Sequence, residues 1–177
     1  MQGKNKFSEF NGALLPHLDA AYNFARWLTK NPQDAEDVVQ EAILRAFDFY
    51  DGFHGENFRS WLLTIVRNTC FTWLKKNRSH EFGRDANDDV ENLVSSLPDP
   101  QTKFLQMADQ EKMRKAIEHL AVEFREVIIL KEFEGLSYKE IGRIIKVPIG
   151  TVMSRLSRAR VHLQEYLVMT GEKGDVH

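Results

Sequence analysis

The stretch SYKEIGRIIKVPIGTVMSRLSRAR, Ser137 to Arg160, decides how the C-terminal part of the chain folds. Ser137 followed three residues later by Glu140 is a capping box, in which each side chain satisfies the other residue's backbone N–H at a helix start. Ile141, Ile144 and Ile145 then supply the buried side of a short helix, and Gly142 leaves room for a close crossing. KVPIG stops the pattern: Pro148 cannot sit in a helix interior, and Gly150 is expected to accommodate the turn. A second helix is expected from near Thr151, with Val152, Leu156, Ala159 and Leu163 in one stripe. Thr151, Ser154, Arg155 and Arg158 gather on another face. The segment is therefore a helix-turn-helix whose second helix presents hydroxyls and guanidiniums.

Charge gives that helix a purpose. The chain of 177 residues has a formal net charge of −2, yet no Asp or Glu occurs from Ile141 to Gln164, which carries Arg143, Lys146, Arg155, Arg158 and Arg160. Arg reads guanine edges in the major groove, hydroxyls and cations fix register on phosphates, and the lack of acids removes repulsion from the DNA backbone. Taken alone, the module specifies duplex DNA binding and nothing finer.

Working upstream, Ser79 to Gln101 replaces apolar periodicity with Gly, Asn, Asp, Ser and two prolines, a linker of about 20 residues and too long for a loop inside one compact domain. Strand signals are nearly absent elsewhere. The expected fold is all-α: two small helical domains, residues 5–79 and 102–168, joined by a flexible linker over 80–101 and followed by a frayed tail over 169–177. In the first domain, NPQDAEDVVQEAILRAFDFY opens a helix at Asn31 and Pro32 with acids in its first turn, where the helix dipole favours them. Ala35, Val39, Ala42 and Ala46 form its buried stripe. Asp34, Asp37, Glu41 and Asp48 lie opposite, bordered by Gln40, as a docking surface for a basic partner helix. Gly52 and Gly55 mark a loop, and a long helix is expected from about Phe58 to Asn77. Its buried positions are Phe58, Leu62, Ile65, Val66, Thr69 and Trp73. Ser60, Thr64, Arg67, Phe71, Lys75 and Arg78 form the opposite, exposed face, a mixture that suits single-stranded nucleic acid through phosphate neutralisation and base stacking.

Several function classes drop out. Cys70 is the lone cysteine, in a setting that reads as helix filling, and the six histidines are scattered without metal spacing. With no phosphate loop and no nucleophile elbow, the sequence offers no catalytic constellation, metal site or cofactor, so the chain is not expected to be an enzyme. No apolar run approaches the roughly 18 residues of a membrane span, and the N-terminus lacks a signal peptide, which makes the cytoplasm the expected location and membrane insertion unexpected.

With both halves in view, the chain resembles the extracytoplasmic-function sigma factors, the compact two-domain branch of the bacterial sigma-70 family. DAEDVVQEAILRAF and FRSWLLTIVRNTCFTWLKK resemble the family's region 2, and FREVIILKEFEGLSYKEIGRIIKVPIGTVMSRLSRAR its region 4. The resemblance runs from about Leu14 to Leu167 and lacks the family's large middle domain. It implies a dissociable subunit that binds core RNA polymerase and directs initiation at selected promoters. Asp34, Asp37, Gln40 and Glu41 would bind the clamp helices of the largest polymerase subunit, and region 4 the flap of the second largest. Phe53, His54 and Asn57 would capture a flipped base of the minus-10 element, with Arg59, Ser60, Thr64, Arg67 and Asn68 along the melted strand. Thr151, Ser154, Arg155 and Arg158 would read the minus-35 element as duplex. The linker, with Asp85, Asp88, Asp89 and Glu91, would thread toward the active cleft. An anti-sigma factor is implied as a further partner. Departures are Met153 where the family often has Lys, Lys146 where it often has Gly, and Ala121 and Val122 in place of a Pro and an acid. Two alternatives stand beside this reading: a sigma-like decoy that binds an anti-sigma factor, and a helix-turn-helix regulator that acts without polymerase.

Overall fold

The computed structural model describes residues 2–55, 57–81 and 105–172. Eight α-helices carry the described chain: α1 (Gln2–Leu14), α2 (Leu18–Thr29), α3 (Pro32–Phe49), α4 (Phe58–Glu81), α5 (Leu105–His119), α6 (Val122–Ile128), α7 (Tyr138–Ile145) and α8 (Ile149–Glu172). Among the described residues there is no strand, as the periodicity predicts. The linker expected over 80–101 lies outside the described residues except for His80 and Glu81, which belong to α4. The tail expected over 169–177 is helical as far as Glu172.

The N-terminal unit packs α2, α3 and α4 against one another. Asn31 caps α3 by accepting the Asp34 N–H at 3.1 Å, and Pro32 occupies the first turn, where its missing N–H costs nothing. Ala35, Val38, Val39, Ala42 and Ala46 are buried, and the three alanines let α3 approach its neighbours closely. At the other end of the bundle, α1 contributes Phe10, which meets Phe47 and Tyr50 edge-to-face at 5.3 Å each. Such pairs contribute about 0.5–1.5 kcal/mol beyond their buried area. Cys70 is fully buried on α4, and burial pushes its thiol up to about 12, with Glu126 adding to the effect.

The C-terminal unit packs α5, α6 and α7 against α8. The capping box of Ser137 and Glu140 forms as the sequence predicts: the Glu140 N–H donates to Ser137 Oγ at 3.1 Å, and the Ser137 N–H donates to Glu140 Oε2 at 2.8 Å. That bond to the backbone holds the Glu140 carboxyl below its ordinary value of 4.5. The turn after α7 differs from expectation. Lys146, not Gly150, takes the left-handed conformation, at φ 59°, and α8 already begins at Ile149. A side chain there costs roughly 1–2 kcal/mol relative to glycine. Gly142 is required by the turn itself, because an added Cβ would lie 2.9 Å from the Val147 carbonyl oxygen.

The two units meet. α7 lies on α4, and α6 lies on α2. Arg125, buried on α6, donates to the Leu28 carbonyl of α2 at 3.2 Å and to the Leu120 carbonyl at 2.8 Å. Burial lowers its guanidinium pKa to about 10. Trp27 of α2 packs on Phe133 at 5.5 Å between ring centroids.

Two stability predictions follow from the turn. Lys146→Gly is expected to raise unfolding free energy by about 0.5–1 kcal/mol, the relieved strain less the added entropy of the unfolded chain; Gly142→Ala is expected to lower it by about 1–3 kcal/mol. Urea unfolding midpoints separate the two signs. For Glu140, whose folded-state pKa is depressed, stabilisation is present above its ordinary pKa and is lost as pH falls through the lower folded value. Thermal midpoints measured from about pH 5 to about pH 3 are expected to fall less in Ser137→Ala than in the parent protein.

Candidate functional site

The buried alanine and valine stripe of α3 leaves its other face to solvent. Asp37, Gln40, Glu41 and Asp48 are exposed, Asp34 is half-buried, and Leu44 stands among them at 67 % exposure. Burial raises the Asp34 carboxyl, and the neighbouring Asp37 charge adds to it. Glu41 holds Arg45 one turn on at 2.5 Å. The sequence grouped the four acids correctly, but Leu44 went unnoticed: an apolar side chain inside a polar rim, as interface centres are built.

Around the loop, the candidate residues divide. Phe53 is half-buried in an aromatic cluster, 4.9 Å from Trp61 and 5.7 Å from Phe58, whereas His54 and Asn57 are exposed. Asn57 starts α4 by accepting the Ser60 N–H at 3.1 Å, and its amide donates to Glu140 Oε1 at 3.0 Å. Thr64 donates to the Ser60 carbonyl at 2.8 Å, and Asn68 is half-buried, its carbonyl accepting from Thr72 at 3.0 Å.

The face expected to be exposed on α4 is not. Ser60, Thr64, Arg67 and Phe71 are half-buried, because the C-terminal unit lies against α4; Lys75 is exposed. Arg78 lies among the residues whose side chains are not described. Arg59 donates to both the carbonyl and the carboxylate of Glu134, the latter at 2.8 Å. Arg67 forms a fork on Glu126, with Nε at 2.9 Å and Nη2 at 3.2 Å, while its guanidinium lies 3.9 Å over the Phe71 ring. The ring surface proposed for base stacking is thus covered by a cation of the same helix. Ser60 Oγ is buried without a hydrogen-bond partner.

On α8, Val152, Leu156 and Ala159 are buried and Leu163 half-buried, which confirms the stripe. Ser154 and Arg158 are exposed, Thr151 and Arg155 half-buried, and Met153 stands 52 % exposed among them. Arg155 Nη1 lies 3.9 Å from Glu126 Oε1. Glu126 is the residue that sequence reasoning missed. It is 0 % exposed; burial raises its carboxyl, while Arg67 and Arg155 pull it down. Its signal in the sequence was an acid inside the apolar run REVIIL, where an unpaired carboxylate could not stay. Among the described residues no cluster of His, Cys, Asp or Glu could hold a metal ion, and no helix is long and apolar enough to cross a membrane.

Comparison with known proteins matches the two units separately. Residues 14–80 fit the model of Sigma-70 region 2, and residues 110–163 that of Sigma-70, region 4. An ECF RNA polymerase sigma factor SigE of Mycolicibacterium smegmatis is 32 % identical over 85 % of this chain, which spans 58 % of that relative's length. The sigma factor EcfG of Rhodopseudomonas palustris is 36 % identical over 90 % of this chain and 83 % of its own. Among solved structures, the sigma factor RpoE of Bartonella quintana, crystallised with the anti-sigma factor NepR, superposes with a TM-score of 0.69 at 34 % identity, covering 90 % of this chain and 96 % of the other. With both regions in order and the same likeness in sequence and in structure, the chain belongs to the extracytoplasmic-function branch of the sigma-70 family, the sigma factors that direct transcription initiation.

Proposed function

We propose that this chain docks on core RNA polymerase through the exposed side of α3 and reads a promoter at two points, working in the cytoplasm with no chemistry of its own. The observation that carries the docking half is the separation on α3: one side wholly buried by alanine and valine, the other presenting Asp37, Gln40, Glu41 and Leu44 to a partner. Asp34, at its edge, completes the face toward the clamp helices of the largest subunit. A helix-turn-helix regulator acting alone has no use for such a face, and a decoy for an anti-sigma factor has no use for the basic residues of α4.

The reading half divides by the state of the DNA. Unpairing costs on the order of 1.4 kcal/mol per base-pair step, so a protein without ATP chemistry offsets it by trapping flipped bases and by using the polymerase's contacts. His54 and Asn57 would meet an extruded base of the minus-10 element, with Phe53 as part of the pocket wall rather than a free stacking surface. Arg59, Ser60, Thr64, Arg67 and Asn68 follow the melted strand. Thr151, Ser154, Arg155 and Arg158 enter the major groove of the minus-35 element, with α5–α8 held to the flap of the second largest subunit. The domains that do this are residues 5–79 for the docking and minus-10 unit and 102–168 for the minus-35 unit, with 80–101 as the linker in sequence. The complex of the Bartonella quintana relative with an anti-sigma factor supports a partner of that kind here.

Charge reversal of Asp37 and Glu41 to Lys is expected to weaken binding to core polymerase at least tenfold, about 1.4 kcal/mol, measured by fluorescence anisotropy against labelled core. Unchanged affinity would remove α3 from the interface. Arg158→Ala is expected to cost about 1–3 kcal/mol of promoter affinity and to relax sequence preference at one minus-35 position, read in gel-shift assays with holoenzyme. Arg67→Ala is expected instead to leave closed-complex formation intact and to lower permanganate reactivity of the melted region; an equal loss of duplex binding in both variants would contradict the division of labour.

A further inference from the structure

Along α7, the side turned away from the core carries a row of cations. Lys139, Arg143 and Lys146 are exposed at i, i+4 and i+7, opposite the buried Ile141, Ile144 and Ile145. By helical rise, Arg143 lies about 6 Å and Lys146 about 10 Å beyond Lys139 along the axis. Among the described residues, none of these three side chains has a hydrogen-bond or ion-pair partner. We propose that the row is a phosphate track, holding one strand of duplex DNA beside the groove that α8 enters and fixing register there without reading bases. This role extends, and rests on, the duplex-reading role of α8 proposed above.

A solvated row of charge needs no ligand, but the surroundings of this one point to an anion. The nearby acids are already engaged. Glu140, next to Lys139, has one oxygen on the Ser137 N–H and the other on the Asn57 amide, and Glu132 is paired with Arg160 at 3.0 Å. From Ile141 to Gln164 the chain has no acid at all. The row therefore meets no internal competitor, in contrast to Arg59 and Arg67, which stand against carboxylates. Helix-end electrostatics explains only part of it. Lys146 takes the left-handed conformation at φ 59° where α7 ends, as Lys30 does at the end of α2, and the dipole favours a cation at both places. Lys139 lies in the first turn of α7, where the same dipole opposes it. Position supplies the ligand. Lys146 stands three residues before Ile149, the first residue of α8, so the row leads into the end of α8 that carries Thr151 and Ser154. In a helix-turn-helix the first helix crosses the DNA backbone while the start of the second meets base edges. Cations spread over about 10 Å then reach separate phosphates, and each contact releases counterions.

The salt dependence of duplex binding tests the track, using holoenzyme on a duplex promoter that it selects from a random-sequence pool. Each of Lys139→Gln, Arg143→Gln and Lys146→Gln is expected to flatten the slope of log affinity against log salt by about 0.9, which is about a fivefold loss at about 0.15 M salt. The triple variant is expected to flatten it by about 2.7, with the preference among promoter bases unchanged. Lys146→Gly is the sharper variant, because it is expected to stabilise the fold and still lose about the same fivefold in affinity. A merely structural role would move both readings in one direction. A parental slope in the triple variant overturns the track, even where affinity falls or where binding to core polymerase weakens, the latter assigning the row to an acidic protein surface instead. Arg158→Ala in the same assay keeps the two readings apart. Relaxed base preference there, beside a parental slope in the triple variant, removes the track alone; unchanged binding in both removes the duplex-reading role of α8 with it.

Discussion

A carboxylate cannot remain charged in a protein interior without cations, and Glu126 is wholly buried. Arg67 from α4 and Arg155 from α8 therefore converge on it, one in a two-point fork and the other at 3.9 Å. Those three side chains come from three helices and from both units. Their mutual need sets where the C-terminal unit rests, and hence which side of α4 the solvent reaches. The neighbouring contacts of Arg59 with Glu134 and of Asn57 with Glu140 extend the same pairing toward the start of α4. Removing one partner of such a group costs more than the pair itself contributes, because the survivor stays buried and unpaired.

What could be read from the sequence was whatever one helix decides for itself. The buried stripes of α3 and α8, the capping box at Ser137 and the Asn31–Pro32 start each depend on residues within a few positions of one another. Their period and chemistry suffice. Lys146 shows where local rules end: Gly150 looked like the turn residue, yet the geometry of Pro148 at the head of α8 puts the left-handed position two residues before the proline. The exposed side of α4 was misjudged for a larger reason. Its hydroxyls and cations at helical spacing do form one face, but the face is covered by a unit more than fifty residues away in sequence, and periodicity carries no information about that.

The two candidate sites also differ in physical character. The α3 face is an open rim of acids around Leu44, which suits rapid association steered by charge. Arg59 and Arg67 of α4 and Arg155 of α8 are half-buried beside carboxylates, whereas Ser154 and Arg158 of α8 stand exposed.

Cys70 carries a different consequence. As the chain's lone cysteine it sits fully buried beside the Glu126 carboxylate, with its thiol pushed up to about 12. At neutral pH almost no thiolate exists there, and thiolate is the form that oxidants and alkylating agents attack. A signal carried by sulfhydryl oxidation therefore finds no reactive thiolate at Cys70. Sulfur is not absent from the surface, however: Met153 is exposed on the helix that carries Arg155 and Arg158, and oxidation there would place a polar group among the residues proposed to read duplex DNA.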